Sequence, residues 1–452
     1  MDEDSNDPAA DLTLDEIVRL IQAGDWPAAR VRCEALVARA PADADALSRL
    51  GQIAIGQYRW QDAIAAFDRA LRLRVDPWTL GNLGVCHWKI GNLAEAEYCL
   101  RGAVELKPAV TRAHVSLANV LHASRRFDAA LEELATAEKL DATDHQIPMR
   151  RGCALAALGR YDEAQQAFAH SIQLAGRFTY ARLAAFDHVT FDAVSANDNV
   201  PAAPQLAAQA GAQNGEFRYV TLISCNPAYV RKYGFPFIRS FAERSGGASL
   251  LHLHVYDPDD AILDEIAAVI ARSGVARYVV TIEPSPYAAL EAQRRKAYYA
   301  CGRLVHMPFW LDRYRCPVLS LDVDFIVEGA LDGLIDAAAG HDAGLNPREP
   351  PDSPWLDVIA NIIVANPTPA ARHYFTAVKN YALACLAREP EAWLVDQSAL
   401  YCILKMMERF AAPPAIVWLP AALQSSLWHI GHAYDHLLDD PRYRKYADPR
   451  RS

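Results

Sequence analysis

The chain has 452 residues, too many for one ordinary domain and enough for roughly two or three well-buried ones. Apolar residues make up 52%, including 9 Trp, which excludes a disordered chain. The formal net charge is −10 with the acids dispersed, which excludes a nucleic-acid platform built on a basic face.

The opening MDEDSNDPAADL is acidic and has no apolar core, so no secretory signal is expected. No apolar run reaches the ~20 residues that cross a bilayer. The 9 Cys include no CxxC pair and sit mostly in apolar segments, which predicts reduced, buried thiols and a cytoplasmic location.

Residues 12–186 repeat. DWPAA, RWQDA, NLAEA, RFDAA and RYDEA bring Trp26, Trp60, Leu93, Phe127 and Tyr161 into register, 34, 33, 34 and 34 residues apart. Each is followed three residues later by Ala29, Ala63, Ala96, Ala130 or Ala164. Four further on come Cys33, Phe67, Leu100, Leu134 and Phe168. Leu50-Gly51, Leu83-Gly84, Leu117-Ala118 and Arg151-Gly152 recur upstream. Small residues at fixed places let antiparallel helices approach, and the bulky ones fill the gaps between them. This pattern resembles the tetratricopeptide repeat over about four and a half units, residues 13–176, with Tyr180 to Phe186 closing the last. The resemblance implies an all-α solenoid whose concave face takes a protein partner.

Residues 187–216 are rich in Ala, Asn, Gln and Pro and read as a tether, with a short helix around Gln205 to Gln209 as the one candidate element. From Phe217 the pattern changes. Strands are expected at 218–225, 250–257, 276–283 and 317–327, with helical segments between them. That alternation predicts a mostly parallel, doubly wound α/β sheet over 217–440, followed by a basic tail at 441–452. Ligands bind such sheets beyond the carboxyl ends of the strands, where Ser224, Cys225, Asn226, Asp257, Asp322 and Asp324 fall.

In PVLSLDVDFIV, Asp322 and Asp324 are expected on one strand, sharing a face across Val323. Two close carboxylates repel unless a cation sits beside them, and oxygen ligands suit Mg²⁺ or Mn²⁺. A strand-end cap on backbone amides or water accounts for either Asp alone.

With the upstream YYACGRLVHMPFWLDRY, the Asp-x-Asp strand resembles the core of GT-A glycosyltransferases, over residues 218 to about 436. The resemblance implies a UDP- or GDP-linked nucleotide-sugar donor held by Ser224, Cys225, Asn226, Arg303, Asp322, Val323 and Asn361. It also implies a divalent ion, Mn²⁺ or Mg²⁺, on Asp322, Asp324 and His429, with His432 as the alternative ligand. WLVDQSALYCIL resembles the Asp-Gln element of glycogenin-like enzymes, which puts Asp396 and Gln397 beside the sugar. An acid in a first helical turn also stabilises the helix in its own right. Two departures stand out: Asn361 occupies the family's Gly position, and His-Ile-Gly-His replaces His-x-x-Gly-x-x-Lys, leaving Arg442, Arg444 or Lys445 to neutralise a diphosphate.

The expected activity is transfer of a sugar to a protein or glycan acceptor, with either stereochemical outcome open. The alternatives are a repeat scaffold with a non-catalytic GT-A domain, and a nucleotidyltransferase. The latter is disfavoured because ISCNPAYVRKYG is poor in Gly.

Overall fold

The computed structural model describes residues 13–177, 179–196, 202–212, 217–245, 247–287, 295–348, 353–389, 392–430 and 440–446. The chain divides after Arg177 into two compact units.

The first unit contains ten α-helices among the described residues, running from Leu14–Gln22 to Tyr161–Ala175. They form five antiparallel pairs, where about four and a half units were expected. Trp26, Trp60, Leu93, Phe127 and Tyr161 each open the second helix of a pair. The Ala three residues on is fully buried in all five. The upstream Gly has a steric reason: a Cβ on Gly51 would sit 2.5 Å from Phe67 Cε1, and one on Gly84 would sit 2.7 Å from Leu100 Cγ. Gly152 likewise presses on the Phe168 ring. Asp25, Asp43 and Asp76 cap helix starts with their carboxylates, satisfying otherwise orphaned N–H groups.

The second unit is α/β. Its strands are β1 Gln205–Ala210, β2 Tyr219–Cys225, β3 Ser249–Tyr256, β4 Tyr278–Glu283, β5 Val318–Leu321, β6 Phe325–Val327, β7 Ala343–Pro347, β8 Val358–Ala365, β9 Ile416–Trp418 and β10 Leu427–His429. Eight lie in one sheet, ordered β1-β4-β3-β2-β5-β8-β7-β9, while β6 and β10 form a separate pair. The sheet is mixed rather than mostly parallel. β2, β3, β4 and β5 run parallel, but β8 is antiparallel to both β5 and β7, and β1 is antiparallel to β4. Among the described residues no crossover helix separates β7 from β8, and the two strands pair antiparallel. From β2 the chain winds outward to β3 and β4, then crosses back to lay β5 on the other flank of β2. The direction of winding reverses between β2 and β5, which opens a crevice at their carboxyl ends.

Four expectations change. The tether at 187–216 contains a helix, His188–Ala196, and the edge strand β1 where a short helix was expected. β1 is almost wholly exposed; its pairing with β4, rather than any propensity of QLAAQA, makes it a strand. Residues 180–186 belong to the second unit instead of closing the repeats: Tyr381 donates its hydroxyl to Leu183 O, and the Phe186 ring meets Tyr401 edge-on. The strand predicted at 317–327 breaks in the middle, because β6 leaves the sheet to pair with β10, so Asp322 and Asp324 flank a turn. The basic tail begins as a short helix, Pro441–Arg444, and Tyr446 is buried behind it.

Candidate functional site

A cavity of ≈ 310 Å³ opens at the crevice between the ends of β2 and β5, within the size range of small-ligand pockets. Ser224, Cys225, Asn226, Arg303, Asp322, Val323, Asp324, Asn361, Asp396, Gln397 and His429, all expected from the sequence, line it, whereas Asp257 and Lys445 do not. The alternative ligand His432 lies outside the described residues.

Local structure fixes each position. Asn226 ends β2 and accepts the Tyr229 N–H on its side chain at 3.0 Å, starting the next helix. Asp322 leaves β5 with its N–H donating to the Asn361 carbonyl on β8 at 2.9 Å. Asn361 is held in turn by Asn346 Nδ2 at 2.7 Å. Asp324 O accepts the Ile430 N–H at 2.8 Å, which draws the end of β10 and His429 toward the Asp pair. His429 Nε2 lies 3.3 Å from Asp324 Oδ1.

Asp322, Asp324 and His429 each offer a ligand atom, and these atoms all lie within 4.8 Å of one another. Loss of hydration raises the Asp322 pKa; Arg303 opposes that rise and the neighbouring Asp324 charge adds to it. Burial disfavours the His429 imidazolium, but Asp324 first and Asp322 after it outweigh burial and raise its pKa. Two carboxylates and an imidazole converging on one point suit a divalent ion with oxygen and nitrogen ligands, so the residues fit Mn²⁺ or Mg²⁺.

Arg303 is 5% exposed and bridges two acids. Its Nη1 donates to Asp322 Oδ1, and its Nη2 lies 3.6 Å from Asp396 Oδ2. Asp396 stands in the first turn of the helix Val395–Phe410. Leu394 before it has φ 68°, a left-handed conformation that costs a leucine about 1–3 kcal/mol and is held here at the cavity wall.

Lys296, Tyr229, Trp393 and Leu394, not expected as site residues from the sequence, also line the cavity, as does Tyr299 from the motif before Arg303. Lys296, Tyr299 and Arg303 lie on one face of the helix Lys296–Val305, and their i, i+3, i+7 spacing was the available signal. Asp257 lies at a strand end as expected but acts through Tyr299. Its Oδ2 accepts from the Tyr299 hydroxyl at 2.6 Å and from Arg295 Nη1 at 2.7 Å. Gly302 lets this helix lie against β3, since a Cβ there would overlap the Tyr256 hydroxyl. Lys445, a candidate for diphosphate neutralisation, instead pairs with Glu243 Oε2 at 2.7 Å.

Known proteins illuminate the first unit. The tetratricopeptide repeat family matches residues 14–74, 82–146 and 149–177. Residues 14–177 carry tetratricopeptide repeats. Among solved structures, YrrB, a TPR protein with an unusual peptide-binding site, is 19% identical; the match covers 37% of this chain and 88% of that one, with a TM-score of 0.34. A MamA structure from Desulfovibrio magneticus RS-1 is 20% identical over 36% of this chain and 92% of its own, with a TM-score of 0.34. The Pseudomonas aeruginosa pilF product is 20% identical over 37% and 78%, with a TM-score of 0.35. No curated protein matches the chain. Among the described residues, no helix is long and apolar enough to cross a membrane.

Proposed function

We propose that the second unit is a metal-dependent glycosyltransferase of GT-A type, using a nucleoside-diphosphate sugar, and that the repeat array recruits a protein acceptor. The observation that carries this reading is convergence: residues spread from Ser224 to His429 meet in one cavity at the crevice where strand winding reverses. Asp322, Asp324 and His429 would hold the ion, which supplies Lewis-acid stabilisation to a leaving diphosphate. Lys296 brings positive charge to the same cavity, in the role first sought on the C-terminal tail. Tyr229 and Trp393 offer aromatic faces to a nucleobase, and Ser224 to Asn226 offer polar contacts to base or ribose.

Asp396, oriented by Arg303, is the one carboxylate of the cavity outside the metal cluster among the described residues, and it takes the place beside the sugar. It acts either as a base toward the acceptor hydroxyl or as a negative charge facing an oxocarbenium-like centre. Asp324→Ala is the test: ion-dependent hydrolysis of nucleotide-sugar donors should be lost while the fold persists. Unchanged turnover in that variant would refute the proposal.

A second reading has its own support. Arg303 already supplies a positive partner to Asp322 and Asp396, as a non-catalytic descendant would need in order to stay folded without an ion. A wild-type chain that binds a sugar nucleotide yet never turns it over would favour that reading.

A further inference from the structure

We propose that His254, Glu283 and His306 form a second cation site, distinct from the Asp322 cluster, that takes a transition ion of the Zn²⁺ class. The three residues come from different elements: His254 from β3, Glu283 from the last position of β4, and His306 from the junction of the helices Lys296–Val305 and Met307–Tyr314. Their ligand atoms all lie within 4.8 Å of one another. Two imidazoles and one carboxylate form a donor set that suits zinc and disfavours hard, oxygen-seeking ions.

The second, independent observation concerns the imidazole nitrogens. His254 is 1% exposed and His306 2%. Neither Nε2 makes a hydrogen bond with any described residue. His306 Nε2 lies 2.7 Å from Glu283 Oε2 and His254 Nε2 lies 3.7 Å from Glu283 Oε1, so both ring nitrogens face the one carboxylate. Two buried ring nitrogens thus share a single carboxylate as their polar partner, and a cation among the three would be bonded by all of them.

The surroundings prepare His254 as a ligand. Its Nδ1 lies 2.8 Å from Thr281 Oγ1, which lies 2.8 Å from His252 Nε2, and His252 Nδ1 lies 3.1 Å from the Tyr314 hydroxyl. The chain can be satisfied in either direction, and a metal on His254 Nε2 selects one of the two. In that direction His254 Nδ1–H donates to Thr281, Thr281 O–H donates to His252 Nε2, and His252 Nδ1–H donates to Tyr314. That leaves the His254 Nε2 lone pair free for a metal, the arrangement expected where an outer partner sets the tautomer of a ligating histidine. Glu283 is likewise oriented, accepting the Tyr298 hydroxyl on Oε1 at 2.9 Å. An entry path exists, because Glu283 and Tyr298 also line a second cavity of ≈ 480 Å³ with Gln205 and Val305. An ion at this point would tie β3 and β4 to the helix that presents Lys296, Tyr299 and Arg303 to the first cavity.

The test uses the full chain carrying Asp324→Ala, which disables the other cluster, equilibrated with Co²⁺ and freed of unbound ion. Close to one equivalent of Co²⁺ per chain is expected, with the visible absorption of a four-coordinate nitrogen/oxygen site that Zn²⁺ abolishes. In the unmodified chain the same colour should develop under excess Mg²⁺, a hard ion that does not compete for two imidazoles. Thr281→Val, which leaves all three ligands in place, should weaken Zn²⁺ binding by about 10–100-fold, and Glu283→Gln should abolish it. Folded protein that takes up no Co²⁺, or bound ion indifferent to both substitutions, overturns the proposal.

Discussion

Arg303 Nη2 lies 3.6 Å from Asp396 Oδ2 while its Nη1 hydrogen-bonds Asp322, so one buried guanidinium links the acid of a helix start to the acid of a strand end. Removing it strands two carboxylates in a cavity wall. Arg303→Met is therefore expected to cost about 3–5 kcal/mol of stability, toward the lower end because Asp322 retains some exposure. Asp396→Asn, which keeps shape and hydrogen bonding, should cost much less. Urea denaturation of the two variants measures the difference, and equal losses would contradict this account of the bridge.

Gly302 sets how closely the same helix approaches β3. Gly302→Ala would drive a methyl into the Tyr256 hydroxyl, and relief requires the helix bearing Arg303 to shift. The expected cost is about 1–3 kcal/mol, with a loss of donor affinity larger than stability alone explains. Calorimetry at a temperature where the variant is fully folded separates the two effects.

In the repeat array, Phe168 is 1% exposed and packs under Gly152. Phe168→Ala should destabilise the array by about 3–5 kcal/mol. If the array recruits the acceptor, transfer should fall while donor hydrolysis remains. Parallel loss of both would show that the array does not act through recruitment.

The buried thiols give a pH dependence of definite sign. Burial pushes Cys33, Cys86, Cys316 and Cys402 up to about 12 and Cys99 to about 11. The unfolded chain releases those protons near pH ~8.5, whereas the folded chain keeps them. Between these limits the folded state binds more protons, so stability is full below the unfolded pKa and falls as pH rises toward the folded one. Each fully titrating thiol contributes about 1.4 kcal/mol per pH unit. Denaturation midpoints at pH 7.5 and 10 test this, and equal midpoints would contradict it.

The repeats were legible because each unit restates its packing: Ala29 through Ala164 and Gly51, Gly84 and Gly152 recur at the spacing that helix contact demands. That Ser224 to Asn226 and Asp322 to Asp324 share one cavity was legible because strand ends in a wound sheet converge. What the sequence could not show depends on distant pairing. Phe325 to Val327 looks like a continuation of β5, and only β10, far along the chain, pulls it away and turns Asp322 and Asp324 toward His429. β1 has no strand signal of its own and exists through β4. His254, in LLHLHVYD, reads as one face of an alternating strand; its partners Glu283 and His306 come from other elements, so no spacing announces the cluster.

The most direct test of the central claim is binding of UDP- and GDP-sugars, with and without Mn²⁺, to the wild-type chain and to Asp324→Ala. Thermal stabilisation that requires both sugar nucleotide and ion, and that disappears in Asp324→Ala, is the predicted result. Stabilisation that is indifferent to the ion, or equal in the variant, would contradict it.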